Sequence, residues 1–200
     1  MNPRIQELLG RIRQIEEDLE LEVLARRREL HADFTHRRVM FTRDIVEQQR
    51  RFRTGLLTYV LHAQWRHMLS APFIYAVIVP LVLLDLFVSL YQLVCFPLYR
   101  IARVRRRDYF VYDRAHLAYL NALERFNCRY CAYATGLIGY CREVIGRTEQ
   151  YWCPIKHARR VLQAHEHYHG FVDFGNADGY RKELAALRAE LERLENEELP

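Results

Sequence analysis

Apolar positions recur at helical spacing at both ends of the chain and merge into one unbroken run in the middle. Ile5, Leu8, Ile12, Ile15, Leu19 and Val23 stand three and four residues apart among clustered Glu and Arg, and Tyr180, Leu184, Leu187, Leu191 and Leu194 repeat the spacing near the C-terminus. A stripe of that period lies on one face of an amphipathic helix and needs a partner. The pattern predicts coiled-coil arms that pair with each other, antiparallel, or with the same stripes of a second copy. From Phe34 to Met68, Phe41, Ile45, Phe52, Leu56, Tyr59, Val60 and Trp65 continue a helical period with arginines on other faces. This predicts a helix approaching a membrane surface, although an ordinary helix with a solvated charged face gives the same pattern.

Between Met68 and Arg100 the only ionised side chain is Asp85, in a run from Ala71 to Pro97 rich in Val, Leu, Ile and Phe. About 20 apolar residues cross a bilayer core of about 30 Å, so this run, residues 69–99, is expected to be membrane-embedded. A helix of about 30 residues measures about 45 Å, and Pro80 interrupts its hydrogen bonding. Either the helix tilts and kinks, or it turns back near Pro80 as a re-entrant helical hairpin. Both flanks are rich in arginine, whereas a single span calls for one poor flank. In both arrangements the C-terminal part is expected in the cytoplasm. Asp85 would cost about 3 kcal/mol if unpaired in lipid. It is therefore a candidate functional residue, unless it is protonated or pairs with Ser89 or a neighbouring chain.

The formal charge of +5 comes mainly from arginine, since Lys156 and Lys182 are the only lysines. Arginine binds phosphates through a planar fork. Arg50, Arg51 and Arg53 precede the apolar run and Arg103, Arg105, Arg106 and Arg107 follow it, which favours anionic lipid head groups over nucleic acid as partner. The stretch from Met1 to Leu30 has no apolar core of a cleavable secretory signal, so the five cysteines are expected to be thiols or metal ligands rather than disulfides.

A helical stretch is expected from Leu117 to Arg147, a break at Cys153-Pro154, a short helix to about His169, and a loop from Phe174 to Gly179 before the last helix. Cys128 and Cys131 form C-x-x-C, Cys153 and His157 form C-x-x-x-H, and Cys141 lies between the pairs. Each pair can place two ligands on one side of a turn, and three thiolates with one imidazole suit structural zinc. Replacing His157 by Cys141 gives the four thiolates of an iron–sulfur cluster, and buried unmetallated thiols are the third alternative. Cys95 is expected to be packing only.

A thioredoxin-like use of Cys128 and Cys131 would want a βαβ setting, and no strands are predicted. Glu166 and His169 make only one of the two Glu-x-x-His steps of a di-iron bundle, and His165, His167 and His169 are expected on a solvated or interfacial face. Gly136, Gly139 and Gly146 in helical register predict close packing, and no phosphate loop or nucleophile elbow is present.

Asn127-Cys-Arg-Tyr-Cys131 and Arg147-Thr-Glu-Gln-Tyr-Trp-Cys-Pro-Ile-Lys-His-Ala-Arg-Arg160 resemble motifs of a family of bacterial membrane proteins. The resemblance covers roughly residues 70 to 180 and carries no activity with it. Together these readings predict a mainly α protein of the bacterial inner membrane. Its parts would be a helical arm at 1–68, a membrane segment at 69–99, a Cys/His-containing helical domain at 100–179 and a coiled-coil helix at 180–200. The function expected is a non-enzymatic scaffold or interaction protein with structural zinc, associating with a second copy or a protein partner. An iron–sulfur electron-transfer protein is the alternative.

Overall fold

A computed structural model of the chain describes residues 3–29, 32–35, 38–41, 43–55, 59, 64–162 and 164–198. It is mainly helical and divides into two units, one of Met1–Ala63 with Tyr112–Arg129 and one of Gln64–Val111 with Tyr130–Pro200.

In the first unit, helix α1 (Pro3–Glu29) leaves Leu8, Ile12, Ile15 and Leu19 exposed. The helix predicted from Phe34 is not formed at its start. Instead β1 (Ala32–Thr35) and β2 (Arg38–Phe41) make an antiparallel pair in which Ala32 faces Phe41 and Thr35 faces Arg38. Phe34, Thr35, Val39 and Phe41 are aromatic or β-branched, and so favour a pleated strand over a helix. Helix α2 covers Arg43–Arg51, and the predicted positions Leu56 and Val60 lie outside the described residues. Asn121 Oδ1 accepts from the Glu124 N–H (2.9 Å) while Glu124 Oε2 accepts from the Asn121 N–H (2.8 Å), a reciprocal cap that starts the next long helix.

The second unit is built on the apolar run. Helices α3 (Trp65–Ala76) and α4 (Ile78–Tyr99) join through Val77 into one helix of 35 residues, long and apolar enough to cross a membrane. Pro80 lacks the N–H that would bond the Ala76 carbonyl, and its ring presses on that carbonyl. The interruption stays local, because Val77 keeps right-handed helical angles (φ −61°, ψ −19°) and the chain does not turn back within the run.

Reversal comes at Arg100, whose left-handed backbone (φ 54°) lets the Ile101 N–H donate to the Phe96 carbonyl (2.9 Å). Ile101, Ala102 and Val104 are buried as the chain returns along α4, and a single turn, α5 (Arg106–Tyr109), follows. Helix α6 (Ala122–Trp152) starts and stops later than the pattern predicted. From Tyr130 onward it runs alongside α3 and α4 in the same direction. Tyr130 hydroxyl donates to the Ile74 carbonyl (2.8 Å), Tyr91 hydroxyl lies 3.1 Å from Thr148 Oγ1, and Tyr99 packs on Tyr151 and Trp152. The core gathers Phe96, Ile101, Val104, Leu137, Tyr140, Cys141, Val144 and Leu191.

The short helix predicted after Cys153 is replaced by extended chain. Pro154 disfavours helix in the residue before it, and Lys156 N–H to Val172 O (2.7 Å) with Val172 N–H to Pro154 O (2.9 Å) holds the segment open as far as the 3-10 turn Glu166–Gly170. Helix α7 (Ala177–Glu198) does not keep its stripe for a coiled coil. Leu191 is fully buried in the core, and Gln150 Nε2 donates to the Leu187 carbonyl (3.0 Å).

Candidate functional site

From Met68 to Tyr99 the long apolar helix has its polar groups on the inside. Asp85, Ser89 and Gln92 share a packed stripe with Leu81, Val88 and Phe96, at the three- and four-residue steps of one helix face. The rest of the circumference is apolar and exposed, including Val82, Leu83, Leu86, Phe87, Leu90, Leu93 and Val94. A helix of a water-soluble protein has the opposite arrangement.

Asp85 sits at the middle of that stripe and is the one ionised group of the run. Its carboxylate receives a forked pair from Arg106: Nη1 reaches Oδ1, and Nη2 lies 2.8 Å from Oδ2. Tyr133 hydroxyl donates to Oδ2 (2.9 Å), and Ser89 Oγ donates to Oδ1 (3.1 Å) while accepting from Arg106 Nη1 (2.9 Å). The guanidinium also covers the rings of Phe110 (4.6 Å) and Tyr140 (5.2 Å). Hydrogen bonding to the carboxylate raises the Arg106 pKa further above the usual arginine range, against the opposing effect of partial burial. Of the sequence alternatives for Asp85, pairing with Ser89 is present, and two further residues of its own chain, Arg106 and Tyr133, complete the set. This arrangement is a structural clasp. Both carboxylate oxygens are engaged, which leaves little capacity for proton transfer.

One and two turns on, the same face holds the returning chain. Gln92 Oε1 accepts from the Val104 N–H (2.9 Å) and its Nε2 donates to the Val104 carbonyl (3.3 Å), so one side-chain amide satisfies both backbone groups of a buried residue. On α6, Gly136 makes room for this segment, since a Cβ there would stand 2.7 Å from the Tyr109 carbonyl oxygen.

A second polar cluster ties α6 to the segment after Cys153. Glu143 Oε1 accepts from Arg147 Nε (2.8 Å) and pairs with His167 Nε2 (2.9 Å), and Glu149 Oε2 pairs with His165 Nε2 (2.9 Å). Burial alone would raise the Glu143 carboxyl. Its bonds to His167 and Arg147 outweigh that and hold it down at about 2. Burial, with help from Glu143, pushes the nearby Tyr109 phenol up to about 12. Arg142, Glu149, His157, Leu162, His165 and Tyr168 line an open cavity of about 320 Å³ beside this cluster. His165 and His167 are thus half-buried carboxylate partners, while His169 is exposed, as expected of the solvated or interfacial face predicted for all three.

The expected metal ligands are not brought together. Cys128, Cys131 and Cys141 lie along the single helix α6, and Cys153 follows its last residue. At about 1.5 Å of rise per residue, Cys131 and Cys141 are about 15 Å apart along the axis, and Cys131 and Cys153 about 33 Å. Four residues of chain, at most about 14 Å, cannot carry His157 from Cys153 back to Cys131. The C-x-x-C pair does stand one turn apart, but the interval between the pairs, of zinc-module length, is rigid helix, as its pattern predicts as far as Arg147. Cys141 is buried, and burial, assisted by the Asp85 charge and opposed by Arg106, raises its thiol pKa and keeps it protonated. Among the described residues no group of three or more His, Cys, Asp and Glu is placed to hold one ion.

Arg106, Tyr133, Gln92 and Glu143 are site residues that the spacing did not single out. The one signal in the sequence was an aspartate in an apolar run that needed a counter-charge. No family model matches the chain, and neither a curated protein nor a solved structure is similar to it, so the site rests on its own geometry.

Proposed function

We propose that the chain is a non-enzymatic membrane-embedded anchor. In this reading its long helix lies in lipid, and the Asp85–Arg106 clasp locks a helical body onto that helix. The observation that carries the reading is the inverted helix, with Asp85, Ser89 and Gln92 turned inward and its outward faces made of Leu, Val and Phe. Ionisable residues in membrane segments face protein in this way, because a charge turned to hydrocarbon costs about 3 kcal/mol or more. In water the same outward surface would be a large apolar patch, of the kind a soluble monomer rarely exposes.

The flanking arginines support contact with anionic head groups and a cytoplasmic location, at the bacterial inner membrane, for the parts outside lipid. The exposed stripe of α1, Leu8, Ile12, Ile15 and Leu19, is the surface through which a second copy or a protein partner would be held. The test is fractionation of cells producing the full chain. The protein should remain in the membrane pellet after alkaline carbonate washing and require detergent for release. Recovery as a monodisperse protein in detergent-free buffer would overturn the proposal.

A further inference from the structure

We infer that the long helix lies along the membrane surface within one leaflet, with its apolar outer face against lipid acyl chains, and does not cross the bilayer. The inference rests on the membrane reading above and adds an orientation to it. The starting point is that α3 and α4 cannot enter lipid alone. Helix α6 accompanies them from Tyr130 beside Ile74 to Trp152 beside Tyr99, and the returning chain accompanies α4 from Val104 at Gln92 to Arg106 at Asp85.

Charges on these companions limit where a hydrocarbon core can sit. On α6 only Tyr130–Cys141 is free of them. That stretch is about 12 residues, or about 18 Å, against the roughly 30 Å that must be crossed. Beyond it come exposed Arg142 and half-buried Glu149, and the returning chain adds exposed Arg103, next to Val104 at Gln92, and exposed Arg107, next to Arg106 at Asp85. A core laid over Asp85–Tyr99 would submerge all of these. Shifted toward Trp65, it would meet exposed Arg66 and His67 of α3 itself, and only Met68–Leu84, about 26 Å of helix, separates these from the clasp at Asp85. Several arginines held in hydrocarbon cost far more than one clasped aspartate.

Rotating the helix into the membrane plane removes the conflict. Leu69, Leu83, Phe87, Leu90, Val94 and Leu98 then form a lipid-facing strip on the side away from Asp85, with the charged companions behind it in water or among head groups. Both arginine-rich flanks then lie on one side of the membrane. That accounts for a flank pattern that a single span would violate.

The test uses tryptophan as a depth probe in the full chain reconstituted into phosphatidylcholine–phosphatidylglycerol vesicles. In a Trp65→Phe, Trp152→Phe background, Leu69→Trp, Leu83→Trp and Leu98→Trp are made singly. Each is quenched by lipids brominated near the carbonyl end or near the methyl end of the acyl chain. All three should be quenched more strongly by the shallow bromines and to a similar extent, as for a helix about 5–10 Å deep. Deepest quenching at Leu83→Trp with shallow quenching at both ends would mean the helix crosses, overturning this inference while leaving the membrane reading intact. No quenching at any of the three would mean that another protein surface covers the strip, overturning both. Reporter fusions at Met1 and Pro200 give an independent readout: one side of the membrane for both agrees with the inference, and opposite sides contradict it.

Discussion

Removing Arg106 should destabilise the protein more than removing the aspartate it holds. The Asp85 side chain is 15% exposed and that of Arg106 43%, so the two halves of the clasp differ in what they can do alone. In Arg106→Gln, Asp85 keeps Tyr133 and Ser89 but loses a forked charge-assisted pair, and little solvent reaches it. Breaking a buried pair on the side that leaves a charge behind costs about 3–5 kcal/mol. The ceiling here is about 4 kcal/mol, because the group can instead take up a proton at neutral pH. In Asp85→Asn the guanidinium can turn toward solvent and retain its contacts with Phe110 and Tyr140. Screening reduces its loss to about 1–2 kcal/mol. The double variant should lie well below the sum of the two, with a coupling of about 2 kcal/mol. Denaturant unfolding of the full chain in mild detergent, followed by tryptophan fluorescence, measures all four corners of the cycle. A coupling below about 0.5 kcal/mol, or Asp85→Asn costing more than Arg106→Gln, would refute the reasoning.

Two further predictions bear on the surrounding packing. Gly136→Ala should lower stability by about 2 kcal/mol or more in the same unfolding assay, because its Cβ would stand 2.7 Å from a backbone carbonyl. Gly10→Ala meets nothing within 4 Å and should leave stability unchanged or raise it by up to about 1 kcal/mol. Glu143, held at about 2, stabilises the fold above the ordinary carboxylate range near 4.5. That stabilisation should be lost as pH falls from about 4.5 to about 2, a span worth about 3 kcal/mol at most. Glu143→Gln should flatten the acid limb of the stability profile, and an unchanged limb would show that the carboxylate is not the group responsible.

How far the sequence could be read follows from which contacts are local. The apolar run and its aspartate were visible because composition and spacing alone define them, and Ser89, one turn from Asp85, was named for the same reason. Arg106 was not, since it meets Asp85 only after the chain reverses at Arg100. An arginine in left-handed conformation is not a turn signal of the kind glycine provides. The interval between Cys131 and Cys153 is helical in the pattern and in the structure, and a helix of that length holds the two pairs about 33 Å apart. Two close pairs separated by a loop can share an ion, but the same pairs separated by a rigid helix cannot. Likewise α7 showed a stripe suited to a coiled coil, and nothing in its period could say that Leu191 is buried in the core beside Tyr140 and Phe96. The strands at Ala32–Thr35 and Arg38–Phe41 fell inside a run whose apolar positions also fit a helix, and local side-chain preference decided between the two.

The central claim is that the outward faces of the long helix meet lipid and its polar stripe meets protein. Photolabelling in native membranes with a carbene-generating hydrophobic probe, followed by peptide mapping, tests this residue by residue. The account predicts label on Leu83, Phe87, Leu90 and Val94, with none on Asp85, Ser89, Gln92 or Phe96. Label spread evenly over both sets, or absent from the helix altogether, would contradict it.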